Sequence, residues 1–299
     1  MKAKSESSSQ AISAYNTFRG PDCIFGKPVA REVMFTSHKG VYKKRLEKRQ
    51  RRRLVKIPFI NAFLEEGEQI MFLTTGYPLL TALERFLLRY FTVFLRRALF
   101  VFTDRRIFYI PTTFDYDYRQ SVAEIRYADC RAVQLVGSTL EIIFHNRNIQ
   151  QFQYIGRGER RKLRSIIGDL PLGKEPTGVN NMTYLCARCK TAVPQGSASC
   201  PKCRLRFRTA DRAGKLALLI PGGGYFYTGN TLYGIAFAIL ELLFMGMLAL
   251  AVFDVRDGLK GSMLAVILLL AILGALKFIS FSHARELSQG CFPVHLKSV

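Results

Sequence analysis

ALFVFTDRRIFYIP, residues 98–111, consists of two apolar runs on either side of four polar residues, Thr103–Arg106. Aromatic and β-branched residues fit a pleated, half-buried surface, and a polar interruption of that length is a turn, so the stretch predicts two paired strands. Upstream, LEEGEQIMFLT (64–74) sets Glu65, Glu66 and Glu68 ahead of a further strand through Ile70 and Phe72. Downstream, YDYRQSVAEIRYAD (116–129) and STLEIIFHNRNIQQFQYI (138–155) roughly alternate apolar and polar residues between turn signals. GRGERRKLRSIIGDL (156–170) then brings Leu163, Ile166, Ile167 and Leu170 to helical spacing. Strands come first and one amphipathic helix closes the unit.

The GEQIMFLT opening, the VFTDRRIFYI hairpin and the terminal helix resemble bacterial pleckstrin-homology-like or GRAM-type domains over about 110 residues. The chain has no Trp, so the tryptophan common in the last helix of eukaryotic relatives is absent. The resemblance implies a PH-like fold, and domains of that fold often bind lipids or peptides; a fold alone assigns no function.

Between the first two strands lies YPLLTALERFLLRYFTVFLRRA (77–98), longer and more apolar than a tight hairpin needs. If 79–91 is helical, Arg85 and Arg89 share one face while Leu80, Leu83, Leu87 and Phe91 share the other. That pattern fits a helix lying in a membrane interface or a core helix packed on the sheet. Glu84, Arg85 and Arg89 in its middle argue against a span.

Charge is divided unevenly. Of 44 Lys and Arg, 38 lie in residues 1–213 with 18 of the 22 acids, so this part carries +20 of the net +22. A basic part joined to an apolar tail points to an anionic partner, a membrane surface or a nucleic acid, and the tail favours the membrane. The densest run is Lys43, Lys44, Arg45, Lys48, Arg49, Arg51, Arg52 and Arg53, against Glu47 alone. It reads as an electrostatic anchor worth on the order of 1 kcal/mol per base at an anionic leaflet, or as a solvated charged helix or tail. Phosphate backbones would satisfy it equally. Residues 1–40, rich in Ser, Gly, Lys and Arg, read as poorly ordered, and MKAKSESSSQAISAYN has no apolar core of signal-peptide length.

After the Pro- and Gly-containing linker GDLPLGKEPTGVNN (168–181) comes CARCKTAVPQGSASCPKC (186–203). Two CxxC turns separated by ten residues direct Cys186, Cys189, Cys200 and Cys203 inward. This closely resembles a four-cysteine zinc ribbon with Zn–S bonds of about 2.3 Å. Four thiolates leave no open coordination position, which argues for structural rather than catalytic zinc, and no βαβ context supports a redox pair. So short a segment depends on its metal to fold. Arg204, Arg206, Arg208 and Arg212 follow. The ribbon is therefore either a nucleic-acid contact or, the favoured reading, a rigid joint before a membrane. Cys23, Cys130 and Cys291 are scattered and form no disulfide framework, which suits a reducing cytosolic face.

Leu232–Phe253 and Ser262–Phe281 are each about 20 residues long and apolar, enough to cross a hydrocarbon layer. The bias of Lys and Arg ahead of the first span places both termini in the cytoplasm of a multi-pass cell-membrane protein. PGGGYFYTGN at its entry matches a Pro-Gly-x-Gly-x-x-Tyr-x-Gly pattern at Pro221, Gly222, Gly224, Tyr227 and Gly229, and resembles families of small bacterial membrane proteins. Its glycines permit close helix approach or a re-entrant turn; a third span over 214–229 is the lesser alternative. Glu241, inside the first span, is a functional-site candidate, although a hairpin folded near residue 257 brings Lys277 within one turn of it as a structural partner.

The expected fold class is an α+β multi-domain membrane protein with a PH-like β domain closed by a C-terminal helix, a zinc ribbon and a two-helix transmembrane hairpin. The expected boundaries are a disordered basic arm (1–57), the PH-like domain (58–172, insertion 79–91), a linker (173–183), the ribbon (184–206), a membrane region (214–283, spans near 232–253 and 262–281) and a cytosolic tail (284–299). No phosphate-binding Gly-rich loop, HExxH or GxSxG occurs, so the reading is not an enzyme. It is a membrane-anchored adapter, with Zn2+ as structural cofactor and anionic lipids, and in addition a protein, as partners. A tethered nucleic-acid or protein-recognition module is the second reading, and a channel or transporter subunit centred on Glu241 the third.

Overall fold

The computed structural model describes residues 22–79, 95–113, 115–173, 175, 179, 181–256 and 262–294. They form two compact units, Met1–Arg119 with Ala123–Met182, and Gln120–Val122 with Thr183–Val299.

The first unit is built on a large antiparallel sheet. Strands β3 (Ile70–Pro78), β4 (Ala98–Thr103), β5 (Arg106–Pro111), β6 (Val122–Arg126), β7 (Cys130–Val136), β8 (Thr139–Phe144) and β9 (Ile149–Gln153) run in the order β6-β5-β4-β3-β9-β8-β7. The β4–β5 hairpin pairs Phe102 with Ile107 and Ala98 with Pro111, and Thr103 Oγ1 accepts the N–H groups of Arg105 and Arg106 to close the turn. β3 pairs with β4 as far as Gly76 and then with β9 at Tyr77 and Pro78, so one strand joins the two halves of the sheet. Phe72, Phe100, Phe102, Phe108, Phe144 and Phe152 fill the core. The 79–91 insertion falls, apart from Leu79, outside the described residues.

The acidic lead-in has a structural use. Glu68 is fully buried; it accepts from Arg106 Nη2 (2.7 Å), Thr103 Oγ1 (2.7 Å) and the Glu65 N–H (2.8 Å), and Arg106 also pairs with Glu124. Burial alone would raise the Glu68 carboxyl, but these donors overcome it and hold it below the ordinary carboxylate value.

The expectation of a disordered arm over 1–57 requires correction for residues 22–57. They form the hairpin β1 (Asp22–Ile24) and β2 (Lys27–Val29), a short α1 (Arg31–Met34) and a three-turn α2 (Lys44–Val55). The basic run masks the inner face of α2, where Gln50, Arg53 and Leu54 are buried. At Leu73, where β3 has left one edge open, Gln50 Nε2 donates to Leu73 O (2.9 Å) and Leu73 N–H donates to Gln50 Oε1 (3.0 Å). Arg53 Nη1 donates to the same carbonyl (2.7 Å). Two side chains thus complete a strand edge that would otherwise bury unpaired backbone groups.

The unit closes with α3 (Arg157–Gly168), which buries Glu159, Lys162, Leu163 and Ile166. Glu159 accepts from Arg49 (2.9 Å) and Thr74 Oγ1 (2.6 Å) and forms an ion pair with Arg53 (2.8 Å), fixing α2 to α3.

The second unit begins with the hairpin β10 (Thr183–Leu185) and β11 (Ala192–Val193) and continues as α4 (Ala210–Leu219), α5 (Gly223–Tyr227), α6 (Thr231–Arg256) and α7 (Ser262–Leu287). α6 and α7 are long and apolar enough to cross a membrane. Only 11% of the apolar window of each is buried within this chain.

α4 runs antiparallel to the end of α7. Asp211 lies 3.7 Å from Arg285, Gly214 lies against Phe281, and Ala213 and Ala217 pack with Ala284. Ile220 is extended (φ −119°, ψ 129°), as a residue before proline tends to be, and stops the helix. Gly222 is left-handed (φ +66°), and a Cβ there would stand 2.1 Å from Gly234 O, so this turn accepts only glycine. α5 then brings the chain back: Thr209 N–H donates to Tyr227 Oη at 3.2 Å, so the end of α5 stands beside the start of α4.

Candidate metal centre and charged sites

Each CxxC forms the same knuckle. Cys186 N–H donates to Thr191 O and Lys190 N–H returns to Cys186 O; Cys200 N–H donates to Leu205 O and Arg204 N–H returns to Cys200 O. Lys190 (φ 62°) and Arg204 (φ 56°) both take the left-handed conformation that closes such a turn. The four Sγ atoms lie within 4.8 Å of one another, with Cys186–Cys203 and Cys189–Cys200 each at 3.5 Å. A disulfide requires about 2.05 Å; all four are free thiols whose arrangement could hold a metal ion. Burial pushes the Cys186 thiol up to about 12. At Cys189 burial is outweighed by hydrogen bonds with Thr191, Cys200 and Cys203, which bring it down to about 6. A dication displaces thiol protons, so loading strengthens as pH rises.

The ribbon is fastened to the helices of its own unit. Phe207 bridges antiparallel to Pro293, Arg208 N–H donates to Phe292 O (2.8 Å) and Val294 N–H donates to Arg206 O (3.0 Å). On its other side Phe207 N–H donates to Ala198 O (2.8 Å). The segment leaving the second knuckle is therefore the middle strand between the ribbon loop and the chain that follows α7. Cys291 is buried there, and burial with nearby Cys200 pushes its thiol up to about 11.

Lys277 Nζ stands 2.8 Å from Glu241 Oε2 in an ion pair between α7 and α6. Glu241 is fully buried and Lys277 is 23% exposed. The same ammonium donates to Ala217 O at 3.1 Å, in the last turn of α4. In a continuing helix the donor to Ala217 O would be the N–H of residue 221, which is proline and has none. Lys277 supplies that missing donor from another helix. The sequence brings Glu241 and Lys277 into view as a pair, but the third member, a backbone carbonyl, carries no sequence signal beyond Pro221.

Of the predicted polyanion-binding residues, Lys43, Lys44, Arg45, Lys48, Arg49 and Arg52 are exposed. Arg51 is tied to Glu47 (2.7 Å), and Arg53 is buried against Glu159 and Leu73. Arg85 and Arg89 lie outside the described residues. The sequence reading missed Arg157, Arg161 and Arg164, exposed on the outer face of α3 opposite Leu163 and Ile166. Their i, i+4, i+7 spacing was the available signal.

No family model and no curated protein matches the chain. Among solved structures, the chain is similar to the C-terminal domain of an unknown protein from Leishmania infantum at 9% identity, over 38% of this chain and 90% of that one, with a TM-score of 0.26. A likeness that distant carries no argument about fold or function.

Proposed function

We propose that this chain is a membrane-anchored adapter: α6 and α7 cross the membrane, zinc in the four-cysteine site holds a structural joint, and a PH-like β unit offers its basic residues to an anionic leaflet. The observation that carries the reading is the pairing of Arg206–Arg208 with Phe292–Val294, which makes the ribbon part of the same body as the apolar helices. Tetrathiolate sites of this spacing take zinc in a closed tetrahedron with no position for substrate. The exposed bases of α2 and α3 supply the attraction, each on the order of 1 kcal/mol at an anionic surface. Engagement of Lys277 with both Glu241 and Ala217 O favours a structural over a transport role for that pair.

The test reconstitutes the full chain in vesicles. Replacing Cys186 and Cys189 by Ser should abolish zinc binding and expose the segment after Leu287 to proteolysis, while α6 and α7 still resist alkaline extraction. Loss of insertion in that variant would sink the joint. Amine labelling of Lys44 and Lys48 should slow in anionic relative to neutral vesicles; protection by added RNA instead would favour a tethered nucleic-acid module.

A further inference from the structure

We infer that residues 210–227 are a re-entrant hairpin that inserts a lipid-facing tip, Leu218–Ile220, into one leaflet and is terminated there by Lys277. The inference rests on the membrane reading of α6 and α7.

The geometry closes from three directions. α4 holds ten residues, which rise about 15 Å, half of a hydrocarbon layer of about 30 Å. Glu241 stands ten residues beyond Thr231, where α6 begins, and Lys277 ten residues before Leu287, where α7 ends. Lys277, bonded to both Ala217 O and Glu241, therefore holds the last turn of α4 and the ion pair at one depth, near the bilayer midplane. The Thr209–Tyr227 hydrogen bond returns the chain to the level at which it entered, and α6 starts four residues later. Residues 214–229 are thus not a third span.

The tip is built for lipid rather than water. Leu219 is 79% exposed, and Leu218 and Ile220 are exposed beside it. Three polar ties fasten the hairpin to α7: Asp211 to Arg285, Tyr225 Oη with His283 Nδ1 (3.0 Å), and Ala217 O with Lys277. A helix that stops inside hydrocarbon leaves carbonyls that no water can satisfy. It also ends on the negative pole of its macrodipole. The Lys277 ammonium answers both demands at Ala217, and Glu241 compensates the charge that this requires. The partner of the exposed tip is accordingly the acyl chains of a leaflet.

The chain contains no Trp, so one introduced indole reports on one position. The full-length L219W variant is reconstituted in vesicles with acyl-brominated lipid, with L242W, an exposed position one residue beyond Glu241, as the reference for α6. Both emissions should be blue-shifted and quenched at least two-fold by bromine, with little access to acrylamide. Adding K277M should make the Leu219 indole shift to the red and open to acrylamide, while K277R, which keeps a donor, restores the native spectrum; circular dichroism verifies that the helices persist. Quenching of L242W without L219W would overturn the hairpin alone. Quenching of neither would overturn the membrane reading beneath it. An L219W spectrum indifferent to K277M would remove Lys277 from the role of terminator.

Discussion

Removing either member of the Glu241–Lys277 pair should cost unequal amounts, and the inequality follows from burial. Lys277→Met strips a fully buried carboxylate of its ion-pair partner and leaves Ala217 O without its donor. Breaking a buried pair from one side costs about 3–5 kcal/mol, and the lost hydrogen bond adds about 1 kcal/mol. Glu241→Gln leaves an ammonium that is 23% exposed, long enough to reach toward the interface, and still bonded to Ala217 O. That should cost about 1–2 kcal/mol, because the remaining charge can relocate. The double variant Glu241→Gln/Lys277→Met leaves no charge behind and should cost about 1–2 kcal/mol, so the cycle should show a coupling of at least about 2 kcal/mol. The assay is unfolding of the purified chain in mixed micelles, followed by far-ultraviolet circular dichroism for the four forms of the cycle. Additive single variants, or a Glu241→Gln cost equal to that of Lys277→Met, would refute the idea that the carboxylate depends on the lysine and the lysine also serves α4.

Other outcomes follow from features elsewhere. Because Glu68 has a folded value below its unfolded one, its contribution to the β unit is fully present above the unfolded value and lost as pH falls through the folded one. Glu68→Gln should therefore destabilise the unit by about 3–5 kcal/mol near neutrality and by less in acid, read by denaturant melts at several pH values. Chelation of the metal should raise hydrogen exchange at the Arg208 and Val294 amides, which donate across the Phe207–Pro293 bridge, by an order of magnitude or more, whereas protected amides of β4 and β5 stay unchanged. Reversing Lys48, Arg161 and Arg164 to Glu should abolish the slowing of Lys44 labelling in anionic vesicles, an effect that about 0.5 M salt should reproduce in the native chain. Gly222→Ala should leave little folded second unit, since a methyl group there meets Gly234 O at 2.1 Å, and the reduced yield is measured by size exclusion in detergent.

What could be read from sequence was what repeats along the chain. The β4–β5 hairpin, the α3 stripe at Leu163 and Ile166, the two CxxC knuckles and the two apolar helices each carry a local period or spacing. The Glu241–Lys277 pair was legible because a hairpin of two helices turns sequence separation into height. The order of α2 was not, because its buried Gln50, Arg53 and Leu54 sit in a helix with seven bases, Arg53 among them, and its anchor is a strand edge 20 to 23 residues away at Leu73. The bolt at Phe207–Pro293 joins positions 86 residues apart, with no pattern linking them. Residues whose roles rest on one distant backbone atom, such as Arg53 on Leu73 O or Lys277 on Ala217 O, leave only their own identity in the sequence.

The shared depth of the ion pair and the α4 tip divides α6 and α7 into two kinds of helix. Between Thr231 and Glu241, and between Lys277 and Leu287, one inserted or deleted residue would rotate the charged side chain by about 100° and lift it by about 1.5 Å, away from both Glu–Lys contact and carbonyl. Beyond the pair, from Leu242 onward and back to Leu276, the described residues bury only Ala251 and Leu269, so length answers chiefly to the thickness of the layer to be crossed. Insertions and deletions should therefore be tolerated in the far half of the hairpin and rejected in the near half, a pattern that a scan of single-residue insertions would draw directly.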